Sequence, residues 1–244
     1  MRLIAKGLKK CQDKSFEFSN FIRISILLQL IEFNSTQNEF AQACTIAFLF
    51  SFRVPSETLA LRRAFRGDQL LVFDPQKEKA SIDVVKVGEQ DFLVVKLTQR
   101  KNLTTGCILK RPCFCPISSD KAAFLCPVHS LWPHIRNRVP SGEKLLSAVN
   151  PRNFNRILKR ALEELRIPDA SRYSSHAFRR GATQELREFG SGWPVIMGAG
   201  VWNSSACTGY VDITPEVETG VRLLFLNACS AAIAESDTSS AEEQ

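Results

Sequence analysis

A histidine and an arginine share one turn of a predicted helix late in the chain, and this pair constrains both fold and chemistry. His176 and Arg179 are three residues apart, so their side chains lie on one helix face. The free N–H groups and the positive dipole end at a helix start favour a bound phosphate. The helix is predicted to run to Phe189 and to stop at Gly190, because glycine is common just past a helix end. The pair therefore indicates an anion site at the start of this helix.

Two aromatic residues follow this helix. An apolar segment over 194–197 leads to Trp202, and Tyr210 lies eight residues further on. The chain has one other tyrosine, Tyr173, on the N-terminal side of the pair. A phenol oxygen can act as a nucleophile toward phosphorus. The segment thus combines a predicted anion site with a candidate nucleophile.

A further cationic residue, Arg53, lies at a predicted break between two helices. Pro55 disfavours helical backbone in the residue before it, and Ser56 suits the N-cap of a helix that begins at Glu57. An arginine in such a break points into a cleft more easily than one on a regular helix face. Three arginines close by fit a solvated basic run better, namely Arg62, Arg63 and Arg66.

Residues 69–109 change from a helical to a strand period. The runs LLVF, SIDVVKV and DFLVVKLT are apolar and β-branched, and VGEQD between the last two predicts a hairpin turn. Asparagine, threonine and glycine in QRKNLTTG favour a second tight turn. We expect a small antiparallel sheet, with Lys101 at a turn and Lys96 on a strand.

Apolar residues at helical spacing predict helices in much of the remaining chain. The expected helices span 15–31, 39–52, 131–138, 153–165 and 216–234. The fourth of these carries basic residues opposite its apolar face, namely Arg152, Arg156, Lys159 and Arg160. That basic face is either a surface for the DNA backbone or a solvated helix face. The predicted fold class is α+β, a mostly helical domain with a small antiparallel β-sheet.

Taken together, these motifs resemble the catalytic domain of tyrosine recombinases, also called phage-type integrases. The resemblance covers residues 18–213 and depends on the His-x-x-Arg pair followed by an aromatic residue and a tyrosine. WNSSACTGY is particularly similar to the Trp-Ser-Ser-type ending of recombinases from eukaryotic mobile elements. The segment around Arg53 resembles the first-arginine box of the family, although Glu57 follows at four residues instead of the usual three.

The resemblance implies site-specific DNA recombination or integration through a covalent 3′-phosphotyrosine intermediate, with no cofactor required for catalysis. The implied catalytic set is Arg53, Lys101, His176, Arg179, Trp202 and Tyr210. The two arginines would hold the phosphate bidentately, and Tyr210 would be the nucleophile. His176 would act as general base or as donor to the phosphate, and Lys101, with Lys96 as the alternative, would protonate the 5′ hydroxyl. Trp202 would position the phosphate, because an indole N–H donates a hydrogen bond but exchanges no proton.

Four potential metal ligands lie in the most cysteine-dense part of the chain, residues 113–129. They are Cys113, Cys115, Cys126 and His129. Three thiolates and an imidazole are a known structural zinc set, and the short spacings at both ends suit a zinc knuckle. The alternative is three reduced thiols in a loop beside a helix start. Such a zinc would be structural, because four protein ligands leave no open position for catalysis.

Charge and hydropathy indicate the partners. The last ten residues hold four acidic and no basic residues, so residues 1–234 carry a net charge of 32 − 21 = +11. That excess suits double-stranded DNA. No apolar run reaches the roughly 18 residues of a membrane span, and the N-terminus lacks a signal-peptide pattern. We expect an intracellular protein without a membrane partner, nuclear if its source is eukaryotic.

The predicted organisation has a basic lead-in over 1–14, a catalytic domain over 15–234 and an acidic disordered tail over 235–244. The resemblance implies that the helix over 216–234 packs on a neighbouring protomer, so self-association on DNA is expected. The separate N-terminal domain that usually closes the family's clamp around DNA is not expected. Two alternatives to an active recombinase therefore stay open: a catalytically inactive DNA-binding remnant of a mobile element, and a type IB topoisomerase-like activity.

Overall fold

Helices and two small sheets make up the computed structural model, which describes residues 20–35, 38–66, 71–72, 80–98, 106–115 and 126–200. The helices in these ranges are α1 (Ile24–Asn34), α2 (Glu39–Leu49), α3 (Trp132–Arg138), α4 (Pro151–Glu164), α5 (His176–Glu188) and α6 (Trp193–Gly200). The strands are β1 (Arg62–Arg63), β2 (Phe65–Arg66), β3 (Leu71–Val72), β4 (Ala80–Val87), β5 (Gln90–Leu97) and β6 (Cys107–Pro112). This mixed content agrees with the predicted α+β class.

The main sheet is mixed, with four strands in the order β1-β4-β5-β6. β4 pairs antiparallel with β5, as the predicted hairpin requires, and β5 pairs antiparallel with β6. β1 runs parallel to β4, with Arg62 opposite Ser81 and Arg63 opposite Ile82. The prediction of a wholly antiparallel sheet is therefore wrong. A two-residue strand shows no periodicity that a sequence could reveal. A separate antiparallel pair joins β2 and β3.

Two arginines expected in a solvated run belong instead to β1 and are half-buried. Arg62 donates to the carbonyl oxygen of Gly142 at 3.0 Å. Arg63 donates to the carbonyl oxygens of Arg136 and Val139, at the C-terminal end of α3, at 3.0 and 2.5 Å. Carbonyls at a helix end lack intrahelical partners, so a cation there is favourable. The carbonyl partners lie more than 70 residues further along the chain. A local run of arginines therefore gives no sign of them and predicts exposed side chains.

An extended segment before α1 crosses the back of α5. The predicted helix over 15–31 begins only at Ile24 in the described part, since Arg23 has extended backbone at φ −74° and ψ 164°. The Ile22 amide donates to the carbonyl oxygen of Ala177 at 3.1 Å. A Cβ on Gly181 would lie 1.8 Å from the Ile22 carbonyl oxygen. Only glycine permits such close contact between the 20–23 segment and α5. This contact positions α5, the helix with the predicted anion site.

The second helix ends before its predicted limit of 52, because α2 stops at Leu49 and a π-helical turn over Val54–Thr58 follows. No regular helix begins at Glu57, and Ser56 is not its N-cap. Arg53 takes the N-cap position, and its backbone N–H donates to Glu57 Oε2 at 2.8 Å. The Glu57 carboxylate thus accepts from the free backbone N–H at the start of the turn, a role predicted for a serine hydroxyl.

Three phenylalanines in tilted and edge-to-face contact join α2, α4 and α5 in the core. The ring centroids of Phe40 and Phe154 lie 5.2 Å apart, and those of Phe154 and Phe178 lie 5.9 Å apart. α5 matches its predicted bounds of 176–189 within one residue, and Gly190 follows it at φ +75°. α4 also matches closely, with an Asn150–Asn153 capping box at its start. Among the described residues, no helix is long and apolar enough to cross a bilayer.

Candidate functional site

Arg53 and Arg179 contact one buried carboxylate, that of Glu57. Glu57 Oε1 lies 3.3 Å from Arg53 Nη1, and Glu57 Oε2 lies 3.9 Å from Arg179 Nη1. The glutamate is 3 % exposed. The Arg53 and Arg179 side chains are 28 % and 13 % exposed, so both are less buried than the carboxylate they contact. Two guanidinium groups around one carboxylate leave positive charge for a further anion. The fold thus brings together the two arginines predicted from separate motifs.

Arg179 is held between the ends of two helices. Its Nη1 donates to the Ser51 carbonyl oxygen at 3.0 Å, and its Nη2 donates to the Gly200 carbonyl oxygen at 3.5 Å. Ser51 adopts left-handed backbone at φ +51°, which is uncommon outside glycine. Ser51 lies just past the end of α2. Its backbone conformation therefore orients the carbonyl that Arg179 contacts, and it also directs the chain toward Arg53. Gly200 closes α6.

His176 is the first residue of α5 and is exposed. The residue before it is tied to α4, because the Ser175 amide donates to Asn155 Oδ1 at 2.8 Å. The Ala177 amide donates to the Ser174 carbonyl oxygen at 2.8 Å. His176 and Arg179 lie on one turn of α5, as predicted. The start of that helix is held by the bond to α4 and by the turn at Ser174.

Three predicted site residues, Lys101, Trp202 and Tyr210, lie outside the described residues. Lys96, the alternative lysine, is half-buried on β5, between Ser81 and Ile108 on the adjacent strands. The last described residue of the chain is Gly200, whose carbonyl contacts Arg179. The described part of the chain therefore ends beside Arg179, ten residues before the predicted tyrosine.

Arg111 is a buried cation near this site that the motif reasoning missed. It lies on β6 and is 3 % exposed. Its Nε donates to the Leu49 carbonyl oxygen at 2.7 Å, and its Nη2 donates to the Ala199 carbonyl oxygen at 2.8 Å. Its guanidinium carbon lies 4.9 Å from the Phe50 ring centroid. One signal was present: Arg111 follows the apolar Leu109 by two positions, so the two share a strand face.

The basic face predicted on α4 points away from the core. Arg152, Arg156 and Arg160 are exposed, and Lys159 is half-buried. The opposite face packs Phe154 into the core. Asn155 on the same helix accepts a hydrogen bond from Ser175, so α4 lies next to the start of α5.

The four residues of the cysteine-dense segment form a compact cluster. The ligand atoms of Cys113, Cys115, Cys126 and His129 all lie within 4.8 Å of one another. The His129 Nδ1 atom lies 3.2, 3.3 and 3.7 Å from the sulfurs of the first, second and third cysteine. A tetrahedral zinc with bonds of about 2.0–2.3 Å separates its ligand atoms by roughly 3.5–3.8 Å. The cluster therefore has the donor set and nearly the spacing that a metal ion needs.

The cysteines of this cluster differ in acidity. Burial works to raise the pKa of Cys126, but N–H donors from Phe114, His129 and Val128 and the His129 side chain outweigh it and lower the pKa to about 7. Burial and the two neighbouring thiols raise the pKa of Cys115 to about 12. Burial also raises the pKa of Cys113. Three sulfurs cannot all be thiolates in so small a volume without a cation, which a metal ion supplies.

Comparisons with known proteins give no identity for the chain. No family model, no curated protein and no solved structure matches it significantly.

Proposed function

We propose that the chain is a DNA strand-transferase of the tyrosine recombinase type, which cleaves and rejoins DNA through a 3′-phosphotyrosine. The observation that carries this proposal is the meeting of Arg53 and Arg179 around Glu57. One arginine comes from a helix break and the other from the His-x-x-Arg turn, and the proposed reaction needs both at one phosphate. Guanidinium groups match the nonbridging oxygens of a phosphate in a bidentate way.

In the proposed reaction, the Tyr210 oxygen attacks the scissile phosphorus and forms the P–O bond of the phosphotyrosine. The bond from phosphorus to the 5′ oxygen breaks, and Lys101 gives that oxygen a proton as it departs. His176, exposed at the start of α5, accepts the phenol proton or donates to the phosphate. The phosphate keeps its bond energy for resealing, because no water is consumed.

Glu57 would orient the two arginines in this reaction. A guanidinium offers five N–H donors in a planar fork, so an arginine that contacts a carboxylate can also donate to a phosphate. The carboxylate is 4 % exposed at its side chain and lies on the inner side of both cations. It therefore pre-organises the clamp, which lowers the reorganisation needed when charge develops on the phosphate.

The DNA duplex would lie across the basic face of α4. Arg152, Arg156 and Arg160 are exposed on the helix that also holds the start of α5. Contacts from arginines to phosphates fix the register of a protein on a duplex. Self-association on DNA through the helix over 216–234 is part of the same proposal. The Cys113, Cys115, Cys126 and His129 cluster would hold a structural zinc.

A covalent adduct on a nicked duplex tests the proposal. A nick a few nucleotides to the 3′ side of the cleavage site lets the short fragment that carries the new 5′ hydroxyl diffuse away, so the phosphotyrosine accumulates and can be resolved on a denaturing gel. Wild-type protein should form the adduct, and Tyr210→Phe should form none. Tyr173→Phe, which removes the only other phenol of the chain, is the matched control and should form it. Salt-dependent DNA binding without any adduct would instead support the non-catalytic DNA-binding module.

A further inference from the structure

Arg111 and Arg179 bridge the same two chain segments side by side. Arg111 donates to the carbonyl oxygens of Leu49 and Ala199, at 2.7 and 2.8 Å. Arg179 donates to those of Ser51 and Gly200, at 3.0 and 3.5 Å. The first segment, 49–51, leads to Arg53. The second, 199–200, leads to the stretch that carries Tyr210.

The two bridges differ in their access to a ligand. The Arg179 side chain is 13 % exposed and contacts Glu57, so it belongs to the proposed phosphate clamp. Arg111 is 3 % exposed and lies over the Phe50 ring. A guanidinium at that depth is out of reach of a DNA phosphate. Its planar fork can hold two carbonyls at a fixed spacing, which a lysine ammonium on a flexible stem does not reproduce.

The strand end that carries Arg111 is fixed by the cysteine cluster. Cys113 follows Arg111 by two residues, and its amide donates to the Asp91 carbonyl oxygen at 2.9 Å. The Cys113 sulfur lies 3.7 Å from that of Cys126 and 3.2 Å from His129 Nδ1. A metal bound there would join the end of β6 to the π-helical turn over Pro127–Leu131, which precedes α3.

From this geometry we propose that Arg111 is a positioning residue, which sets the distance between the segment carrying Arg53 and the segment leading to Tyr210. Metal binding at the Cys113, Cys115, Cys126 and His129 cluster anchors Arg111 and thereby couples the metal centre to the arginine pair. This inference rests on the proposed strand transfer for its consequence in catalysis. Its structural part, the tie between the two segments, is independent of that function.

Hydrogen exchange followed by mass spectrometry on the full, zinc-loaded chain tests the structural part. Arg111→Lys keeps the charge but loses the fork, so amide exchange should rise about tenfold or more in both segments, 46–53 and 193–200. Exchange in α4 should stay unchanged. Removal of zinc by a chelator should raise exchange in the same two segments of the wild type. Arg62→Lys, at the opposite edge of the sheet, is the matched control and should leave both segments protected.

The rate of adduct formation tests the catalytic part. In single-turnover reactions on the nicked duplex, Arg111→Lys should slow adduct formation about thirtyfold while its Kd for DNA stays within about threefold of the wild type. A role in stability alone would not separate these two quantities once folded protein is used. A wild-type rate in Arg111→Lys would overturn the positioning role of Arg111 in catalysis while leaving strand transfer intact.

The exchange and adduct results together separate the strand-transferase proposal from the inference about Arg111. If wild-type protein forms no adduct but exchange rises in both segments, the tie through Arg111 stands and the strand-transferase proposal falls. If exchange in Arg111→Lys stays unchanged in either segment, or rises equally in α4, the inference is overturned. Chelation that leaves both segments protected would also overturn it, because the metal would then not be coupled to Arg111.

Discussion

Glu57 Oε2 and Arg179 Nη1 lie 3.9 Å apart, although one residue belongs to a turn early in the chain and the other to a helix near its end. The same carboxylate is 3.3 Å from Arg53. A buried carboxylate is costly unless a cation pairs with it, and two guanidinium groups lose a common partner when it is removed. Glu57 therefore ties the stability of the domain to the geometry of the proposed phosphate clamp.

Glu57→Gln should weaken both the fold and the clamp. An amide has the size of the carboxylate, but it cannot compensate two guanidinium groups. We expect the free energy of unfolding to fall by about 2 kcal/mol, less than for a fully buried pair because Arg53 is partly exposed. Urea denaturation measures this change. Glu164→Gln, which breaks the exposed pair with Arg160, is the control and should show no measurable loss.

Gly181→Ala should displace the segment that crosses α5. The new methyl carbon would lie 1.8 Å from the Ile22 carbonyl oxygen, so the backbone must shift. We expect a loss of about 3 kcal/mol in the free energy of unfolding, typical of overpacking in a core. Gly192→Ala is the matched control, since the nearest atom to its new Cβ would be 3.8 Å away. Equal stability of the two variants would show that the crossing is not tight.

Zinc affinity should rise with pH. Binding requires thiolates, and the pKa values of Cys113 and Cys115 are raised, so protons leave these thiols when the metal binds. Cys126, with a pKa of about 7, is also partly protonated in this range, so with about 2.5 protons released the affinity should increase roughly three-hundredfold between pH 6.5 and 7.5. Competition with a chromophoric chelator measures it. Cys126→Ser should lose the metal, whereas Cys44→Ser, at a buried cysteine outside the cluster, should retain one zinc per chain.

Removing charge from α4 should lower the salt dependence of DNA binding. Each phosphate contact contributes about −0.9 to the slope of log K against log salt. Arg152→Ala combined with Arg156→Ala should therefore reduce the magnitude of the slope by about 1.8. Lys86→Ala, an exposed cation on β4, is the control. A slope that the double variant leaves unchanged would place the duplex elsewhere on the protein.

Local patterns were enough to predict some of these features. The apolar period and Gly190 predicted α5, the turn residues predicted the hairpin between β4 and β5, and ligand spacing predicted the cluster around Cys126. Each depends on residues close together in sequence.

The features that local patterns missed depend on contacts between distant residues. β1 exists because Arg62 and Arg63 pair with a strand that begins well beyond them, and α1 starts late because Ile22 bonds to Ala177. Arg111 was overlooked because its partners are carbonyls at two helix ends, which no side-chain motif encodes. Such contacts can be recognised only after the elements have been placed together.

The central claim, that a phenol oxygen is transferred onto phosphorus beside Arg53 and Arg179, is tested most directly by locating the covalent bond. The adduct formed on a nicked duplex would be digested with protease and nuclease, and the nucleotide-bearing peptide identified by mass spectrometry. We predict a nucleotide mass on the peptide that contains Tyr210, and its loss when both arginines are replaced by alanine. A nucleotide on any other residue, or none at all on protein that binds the duplex, would contradict the claim.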